Sequence, residues 1–246
     1  MEIGPDLVEA VFIERLNRFA ALVDVKGKHE MIHVANSGRM NELFVPGCRV
    51  ILKHQPGEHR KTKYDLVFVD MGSGLASVDA RLPNALVREA LEKEWMPQFA
   101  GYTQIQAEST FGESRLDFLL EGPAGRCYLE TKSVTLVVDG VALFPDAPTI
   151  RGVKHLKSLE HAVADGHRAA AVFVIQRDDA RVFSTSDHSD PAFGMALRHA
   201  LVSGVEAFAY KCRLTESRVE LGESLPIRLN PLVASDTPNG LDESYG

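Results

Sequence analysis

Apolar and polar positions alternate in short runs at the start of the chain and shift to longer periods after it. Residues 9–16, 19–25, 31–34, 47–53 and 64–69 are short, apolar-rich stretches. Lys26-Gly27-Lys28-His29 and Asn36-Ser37-Gly38 punctuate them with turn chemistry, so the pattern predicts about five strands. The texture changes at Leu82-Pro83-Asn84, where proline can open a helix. Leu86, Val87, Ala90, Leu91 and Trp95 then recur at helical spacing until Pro97. A hairpin is predicted next, with strands at 115–120 and 127–134. Residues 149–165 form the next helix, with Val153, Leu156, Leu159 and Val163 inward and Gly166 as its stop. The unbroken apolar run 169–175 predicts a strand buried on both faces. Asp190-Pro191 caps and starts a helix to Gly204, and 205–210 is a strand, so strand, helix and strand make a parallel crossover.

The chain therefore divides into a small all-β barrel of the OB type over residues 1–80 and an α/β domain with a mixed sheet over 81–229. Residues 230–246, rich in Pro, Gly, Ser and Asp, read as a disordered tail. A hydrophobic content of 45% and a charged content of 25% suit a globular protein, and no apolar run approaches the roughly 18 residues of a membrane helix. Met1-Glu2-Ile3-Gly4-Pro5-Asp6 lacks the basic and apolar regions of a signal peptide. Cys48, Cys127 and Cys212 are far apart, which disfavours a zinc site or a disulfide scaffold and fits a reducing cytoplasm. The net charge of -7 counts against a generally sticky nucleic-acid binder but leaves room for a local basic patch and for carboxylates held by a cation. The pattern carries no signal for oligomeric state.

The predicted hairpin concentrates the chemistry. If its loop closes symmetrically, Leu120 faces Cys127 and Asp117 falls opposite Glu130, with Lys132 on the face of Glu130. Opposed carboxylates would stand about 4.5–5.5 Å apart at Cβ, which is unfavourable without a cation between them. Mg2+ (or Mn2+) fits, since it takes one or two carboxylates plus waters. Asp117 and Glu130 would supply carboxylates and Thr131 its backbone carbonyl. Such an ion acidifies water and offsets charge developing on a phosphodiester. Lys132 is placed to position or deprotonate that water, or to contact the phosphate. A solvated salt-bridge cluster on a hairpin is the competing reading.

An Asp on one strand with Glu-x-Lys on its partner resembles the PD-(D/E)xK nuclease pattern. A longer likeness runs through Arg18-Phe19-Ala20-Ala21-Leu22-Val23, Asn36-Ser37-Gly38-Arg39-Met40, Ser114-Arg115-Leu116-Asp117-Phe118 and Cys127 to Leu136. It continues through Phe144-Pro145-Asp146-Ala147 and Arg151-Gly152-Val153-Lys154-His155-Leu156. These segments resemble the bacterial sugar fermentation stimulation protein A family over nearly the whole chain apart from the tail. The resemblance implies an OB-like barrel joined to a restriction-endonuclease-like α/β domain. It also implies DNA binding and a regulatory link to sugar catabolism, maltose use in particular. The family commonly has Glu-Val-Lys where this chain has Glu130-Thr131-Lys132. The central residue offers its backbone, so the change is expected to matter little.

Further candidates surround the hairpin in sequence. Glu89 and Glu94, on the preceding helix, are candidates for another metal ligand: Glu94 falls in the apolar arc and Glu89 at its polar edge, and a buried glutamate needs a partner. Asp146, Arg151, Lys154 and His155 cluster at the next helix start, where Arg151 and Lys154 share a face and could hold a phosphate. Lys53, His54, His59, Arg60, Lys61, Lys63 and Tyr64 make a basic barrel loop with an aromatic, suited to single strands. Each of these also reads as a solvated surface. Gln176-Arg177-Asp178-Asp179 either borders a site or marks an exit to solvent. His188 and Asp190 read as loop and helix cap. The leading reading is a DNA-binding protein, with RNA as the alternative partner, that carries a magnesium-dependent phosphodiesterase site. The second is a non-catalytic DNA-binding regulator of sugar catabolism on a nuclease fold. The third is a glycosidase with carboxylates about 5–5.5 Å or 6.5–9.5 Å apart, disfavoured by the adjacent lysine and the single Trp.

Overall fold

The N-terminal strands close on themselves in the computed structural model, which describes residues 1–57 and 59–229; the tail expectation for 230–246 lies outside them. These strands are β1 (Leu7–Asn17), β2 (Ala20–Val25), β3 (Lys28–His33), β4 (Arg49–His54), β5 (Tyr64–Asp70) and β6 (Leu75–Ser77). They lie in the order β3-β2-β1-β4-β5-β6, and a parallel pairing of His33 with Asp65 joins β3 to β5 and shuts a five-stranded OB-like barrel. Phe12, Val23, Ile32, Leu52 and Leu66 fill its interior, as the alternation predicts.

The second domain begins with α1 (Leu82–Glu92). It continues through β7 (Gln104–Phe111), β8 (Ser114–Gly122), β9 (Gly125–Val134), β10 (Val137–Val138), β11 (Val141–Phe144) and α2 (Ile150–Ala164). Then come β12 (Arg168–Ile175), β13 (Val182–Thr185), α3 (Pro191–Val202), β14 (Glu206–Thr215) and β15 (Arg218–Leu225). The main sheet runs β15-β14-β12-β9-β8-β7, with β12 parallel to both β9 and β14 and the rest antiparallel. It is the mixed sheet expected. Residues 169–175 of β12 are fully buried, and Phe173 packs between Phe144 and Phe183. Truncating a ring so enclosed costs about 3–5 kcal/mol. α2 and α3 cover one face, each capped by the side chain before it: Thr149 accepts from the Gly152 N–H and Asp190 from the Phe193 N–H.

α1 covers the other face and ends earlier than its apolar spacing predicts. The Trp95 N–H reaches back to the Ala90 carbonyl and the Glu94 N–H to Leu91, with Glu94 in the left-handed region at φ 56°. This is a Schellman closure. It leaves Trp95 49% exposed beneath the Lys93 ammonium and turns Glu94 outward. β7, β13 and β15 are strands that the pattern did not announce. The two domains share a core: Ile51, Val67 and Phe68 of the barrel pack with Leu86, Val87 and Ala90 of α1. Residues 1–3 also cross to the second sheet, with the Met1 ammonium donating to the Val219 carbonyl at 2.7 Å. A shared apolar interface opposes free hinge motion between domains.

Candidate active site

The β8–β9 hairpin has the register expected, with Leu120 opposite Cys127 and Phe118 opposite Leu129. The ladder stops there, one step short of Asp117 and Glu130, so these two do not form the cross-strand pair predicted for them. The strand twists at this point: Phe118 joins the core on the α1 face and Leu116 the core on the α2 face. Across from Asp117, Glu108 of β7 sits at φ 56°. Asp117 itself replaces the missing rung. Its Oδ2 accepts the Thr131 N–H at 2.7 Å and its Oδ1 accepts the Asn84 amide at 2.8 Å. A strand residue directs its N–H and C=O toward the same neighbour, so the Thr131 carbonyl faces the side on which Asp117 stands.

Glu130 and Lys132 project toward α2. Lys132 Nζ donates to Glu130 Oε1 at 2.5 Å, and His155 Nδ1 makes a second close contact to the same oxygen. The Arg151 Nε–H donates to His155 Nε2 at 3.2 Å. A guanidinium N–H can meet only a lone pair, so Nε2 is the accepting nitrogen and the ring proton sits on Nδ1, aimed at Glu130. The two carboxylates are driven apart electrostatically. Burial, then the charge of Glu130, push the Asp117 carboxyl above its ordinary value against the opposing bonds from Thr131 and Asn84. Burial also pushes Glu130 up, but the His155 hydrogen bond and the charge of Lys132 outweigh it and hold that carboxyl low.

Among the described residues the buried Glu130 Oε2 has no hydrogen-bond partner, and neither does the neighbouring Thr131 hydroxyl. An unsatisfied buried carboxylate oxygen is expensive. A hard cation supported by Asp117, Glu130 and the Thr131 carbonyl would satisfy it. Among the described residues no three His, Cys, Asp or Glu side chains converge to hold a metal. Two carboxylates and a backbone carbonyl are oxygen donors of the kind that suits a hard divalent cation better than zinc.

The other candidates distribute differently from expectation. Glu89 pairs with Lys93 at 2.6 Å and with the amino terminus at 3.3 Å, and Glu94 faces solvent, so neither joins the cluster. α1 reaches it through Asn84 instead, a residue with no distinguishing sequence signal. His155 is buried against Glu130 rather than free for a phosphate, and Lys154 is exposed and paired with Glu113. Of that trio only Arg151 keeps an exposed guanidinium end beside the cluster. Arg60 turns back to the buried Asp65, which also binds Arg81 and His33, and Lys63 pairs with Glu30. Tyr64 packs on His54, and Lys61 is exposed, while Lys53 lies at a separate hollow with Asp65, Asp79 and Arg81. The basic loop therefore does not border the carboxylates. Gln176 and Arg177 are buried where β12 meets the barrel, with Ser77 N–H bound to the Gln176 carbonyl, and the chain reaches solvent at Asp178 and Asp179, so the exit falls two residues later than the start of the run. Asp190 caps α3 as read, and all three cysteines are free.

What borders the cluster is a cleft of about 400 Å³ between the domains. Residues 131–136 and 143–149 form one wall; Arg18, Asn36, Ser37 and Gly38 of the barrel form the other. The walls are pinned where the Arg39 N–H donates to Asp146 Oδ2 at 2.8 Å. A Cβ on Gly38 would come within 2.9 Å of that same oxygen, which explains glycine at this position.

Residues 13–78 match the SfsA N-terminal OB domain model, and residues 81–218 match the sugar fermentation stimulation protein RE domain. A sugar fermentation stimulation protein homolog of Desulforamulus reducens is 46% identical over 92% of this chain and 94% of its own. A homolog of the same name from Caldanaerobacter subterraneus is 43% identical over 93% of this chain and all of its own. A solved structure described as Pyrococcus furiosus SfsA in complex with Ca2+ superposes with a TM-score of 0.85 at 33% identity, covering 93% of this chain and 98% of that one.

Proposed function

The chain belongs to the sugar fermentation stimulation protein family, and on that footing we propose that it binds DNA and hydrolyses phosphodiester bonds with a divalent cation, Mg2+ or Mn2+. The observation that carries this reading is the buried, unpartnered Oε2 of Glu130 beside Asp117 and Lys132, in the PD-(D/E)xK order. Asp117, Glu130 and the Thr131 carbonyl would hold the ion. A cation there would polarise a phosphoryl oxygen and offset the charge that develops as the ester bond is displaced. The related Pyrococcus furiosus chain, described in complex with Ca2+, supports a hard divalent ion as ligand.

The side chains divide the remaining work. Arg151 orients His155, and His155 fixes the rotamer of Glu130 through its Nδ1 proton, leaving Oε2 free. Asn84 and the Thr131 N–H do the same for Asp117. Lys132 lines the cleft and presents its ammonium to an anion entering there. All three cysteines are free thiols, as a reducing cytoplasm would keep them, and the proposal places the protein's work on DNA there.

The test is cleavage of labelled single- and double-stranded DNA with Mg2+, Mn2+ or EDTA, wild type beside Glu130→Gln. Metal-dependent cleavage lost in the variant is the expected result. A second reading, a DNA-binding regulator without catalysis, draws on one observation: Lys132 and both Asp117 oxygens already have partners within the chain. It predicts DNA binding without cleavage by the wild type under every condition.

A further inference from the structure

The barrel presents to the cleft a lip built by one arginine. Arg15 spends its guanidinium on backbone alone: Nε donates to the Asn17 carbonyl at 3.1 Å, Nη1 to Gly38 at 2.7 Å and Arg39 at 2.6 Å, and Nη2 to Arg18 at 2.8 Å and Asn36 at 3.0 Å. Its flat face lies 4.9 Å from the Phe44 ring centroid. Five carbonyls on one planar fork fuse the β1–β2 turn and the 36–39 loop into a single rigid edge. The Asn36 amide ties that edge to the Val78 carbonyl, and Asp146 ties it to the opposite wall.

The side chains left outward on this edge are Arg18, Phe19 and Arg39. Among the described residues neither the Arg18 nor the Arg39 side chain has an ion-pair or hydrogen-bond partner. Most other exposed arginines of the chain do: Arg88, Arg115, Arg126 and Arg218 all pair with glutamates, and Arg60 and Arg81 with aspartates. Phe19 is 53% exposed at the same turn. Unpaired cations beside an exposed ring are what a single nucleic-acid strand requires, charge for its phosphates and a face for its bases. The Asp146 carboxylate in the cleft accepts the Arg39 N–H and has the charge of Arg15 near it.

We infer that the lip formed by residues 17–19 and 36–39 holds one strand of nucleic acid, with Arg18 and Arg39 on its phosphates and Phe19 stacked on a base, and leads it into the cleft at Lys132. The inference deepens the phosphodiesterase reading by assigning a single-stranded substrate, and it rests on that reading for the fate of the strand. The two are separated by measuring binding in EDTA and cleavage in Mg2+ independently. The probe is fluorescein-labelled oligo-dT, against a hairpin duplex of equal charge, with Lys26→Ala/Lys28→Ala as a charge-matched control elsewhere on the barrel. Wild type is expected to prefer oligo-dT. Phe19→Ala should weaken binding by roughly 5- to 150-fold, the usual worth of one stacked base, and Phe19→Trp should restore it. Arg18→Ala/Arg39→Ala should weaken it about tenfold and flatten the dependence of log Kd on log salt by about 1.4, since each contact to single strands contributes about 0.7. All three residues are exposed, so the variants should fold as wild type does. Wild-type affinity in the lip variants, or equal loss in the Lys26/Lys28 control, overturns the inference even if cleavage is seen. Lip-dependent binding without cleavage upholds it and removes the nuclease reading instead.

Discussion

Replacing Asp117 with asparagine should make the metal-free protein more stable while abolishing its response to metal. In the folded chain the Asp117 carboxyl is held above its ordinary value by burial and by the charge of Glu130. A carboxyl whose folded pKa exceeds its unfolded one subtracts stability above the folded value, and the penalty fades as pH falls through that value toward the unfolded one. Asparagine has the same shape and keeps an oxygen for the Thr131 N–H, and a turned Asn84 amide can accept its NH2. The gain at neutral pH should be about 1 kcal/mol, within the 0.5–2 kcal/mol range of stabilising substitutions that cost function. For a chain of this size that is roughly 2–4 °C in Tm. A cation at a hundred times its Kd should add about 2.7 kcal/mol to the wild type, or roughly 5–11 °C, and little to the variant. Scanning calorimetry in EDTA and in saturating MgCl2, across acidic and neutral pH, reads both effects. The gap between the two proteins in EDTA should narrow as pH falls. A variant less stable than wild type in EDTA, or one that gains as much from Mg2+, would refute the assignment of Asp117 as a strained ligand.

Three further outcomes follow from the same structure. His155→Ala should lower metal affinity by about 10- to 100-fold, the usual worth of a residue that orients a ligand, with cleavage recovering as metal concentration is raised; a metal titration of activity checks this. Asp65→Ala should cost about 1–3 kcal/mol, because a 3% exposed carboxylate that binds Arg60, Arg81 and His33 is lost while the exposed Arg81 keeps Asp79. Its Tm should fall by roughly 2–12 °C with the metal-induced shift intact. Burial pushes the Cys127 and Cys212 thiols up to about 12, so a thiol reagent at mildly alkaline pH should reach only Cys48 in the folded protein and all three cysteines after denaturation.

The residues that carry the proposed chemistry were legible because a hairpin is a local structure. The symmetric turn between Leu120 and Cys127 sets its own register, and period-two alternation then puts Glu130 and Lys132 on one face. β12 and the cap of α3 were legible for similar reasons, from an unbroken apolar run and from Asp190. The break at Asp117 was not, since it depends on Glu108 of an edge strand, β7, whose polar residues carry little alternation. β15 is half charged or polar for the same reason, lying at the other edge of the sheet. Glu94 misled because helical spacing continues past Glu92 in sequence, whereas the backbone closes on Ala90 and Leu91, and Glu89 because Lys93 and the distant amino terminus take its carboxylate. The basic loop at 53–64 misled because Asp65, a single buried carboxylate, recruits its arginine inward. Arg15 looked like one more strand cation, and only the fold shows that five carbonyls converge on it.

The central claim is that Asp117 and Glu130 jointly hold a divalent cation. Diffraction from crystals soaked in MnCl2, recorded at a wavelength where manganese scatters anomalously, tests it without relying on activity. The account predicts one strong anomalous peak within coordination distance of Asp117, Glu130 Oε2 and the Thr131 carbonyl, absent in Glu130→Gln. Crystals saturated with manganese that show no peak there would contradict it.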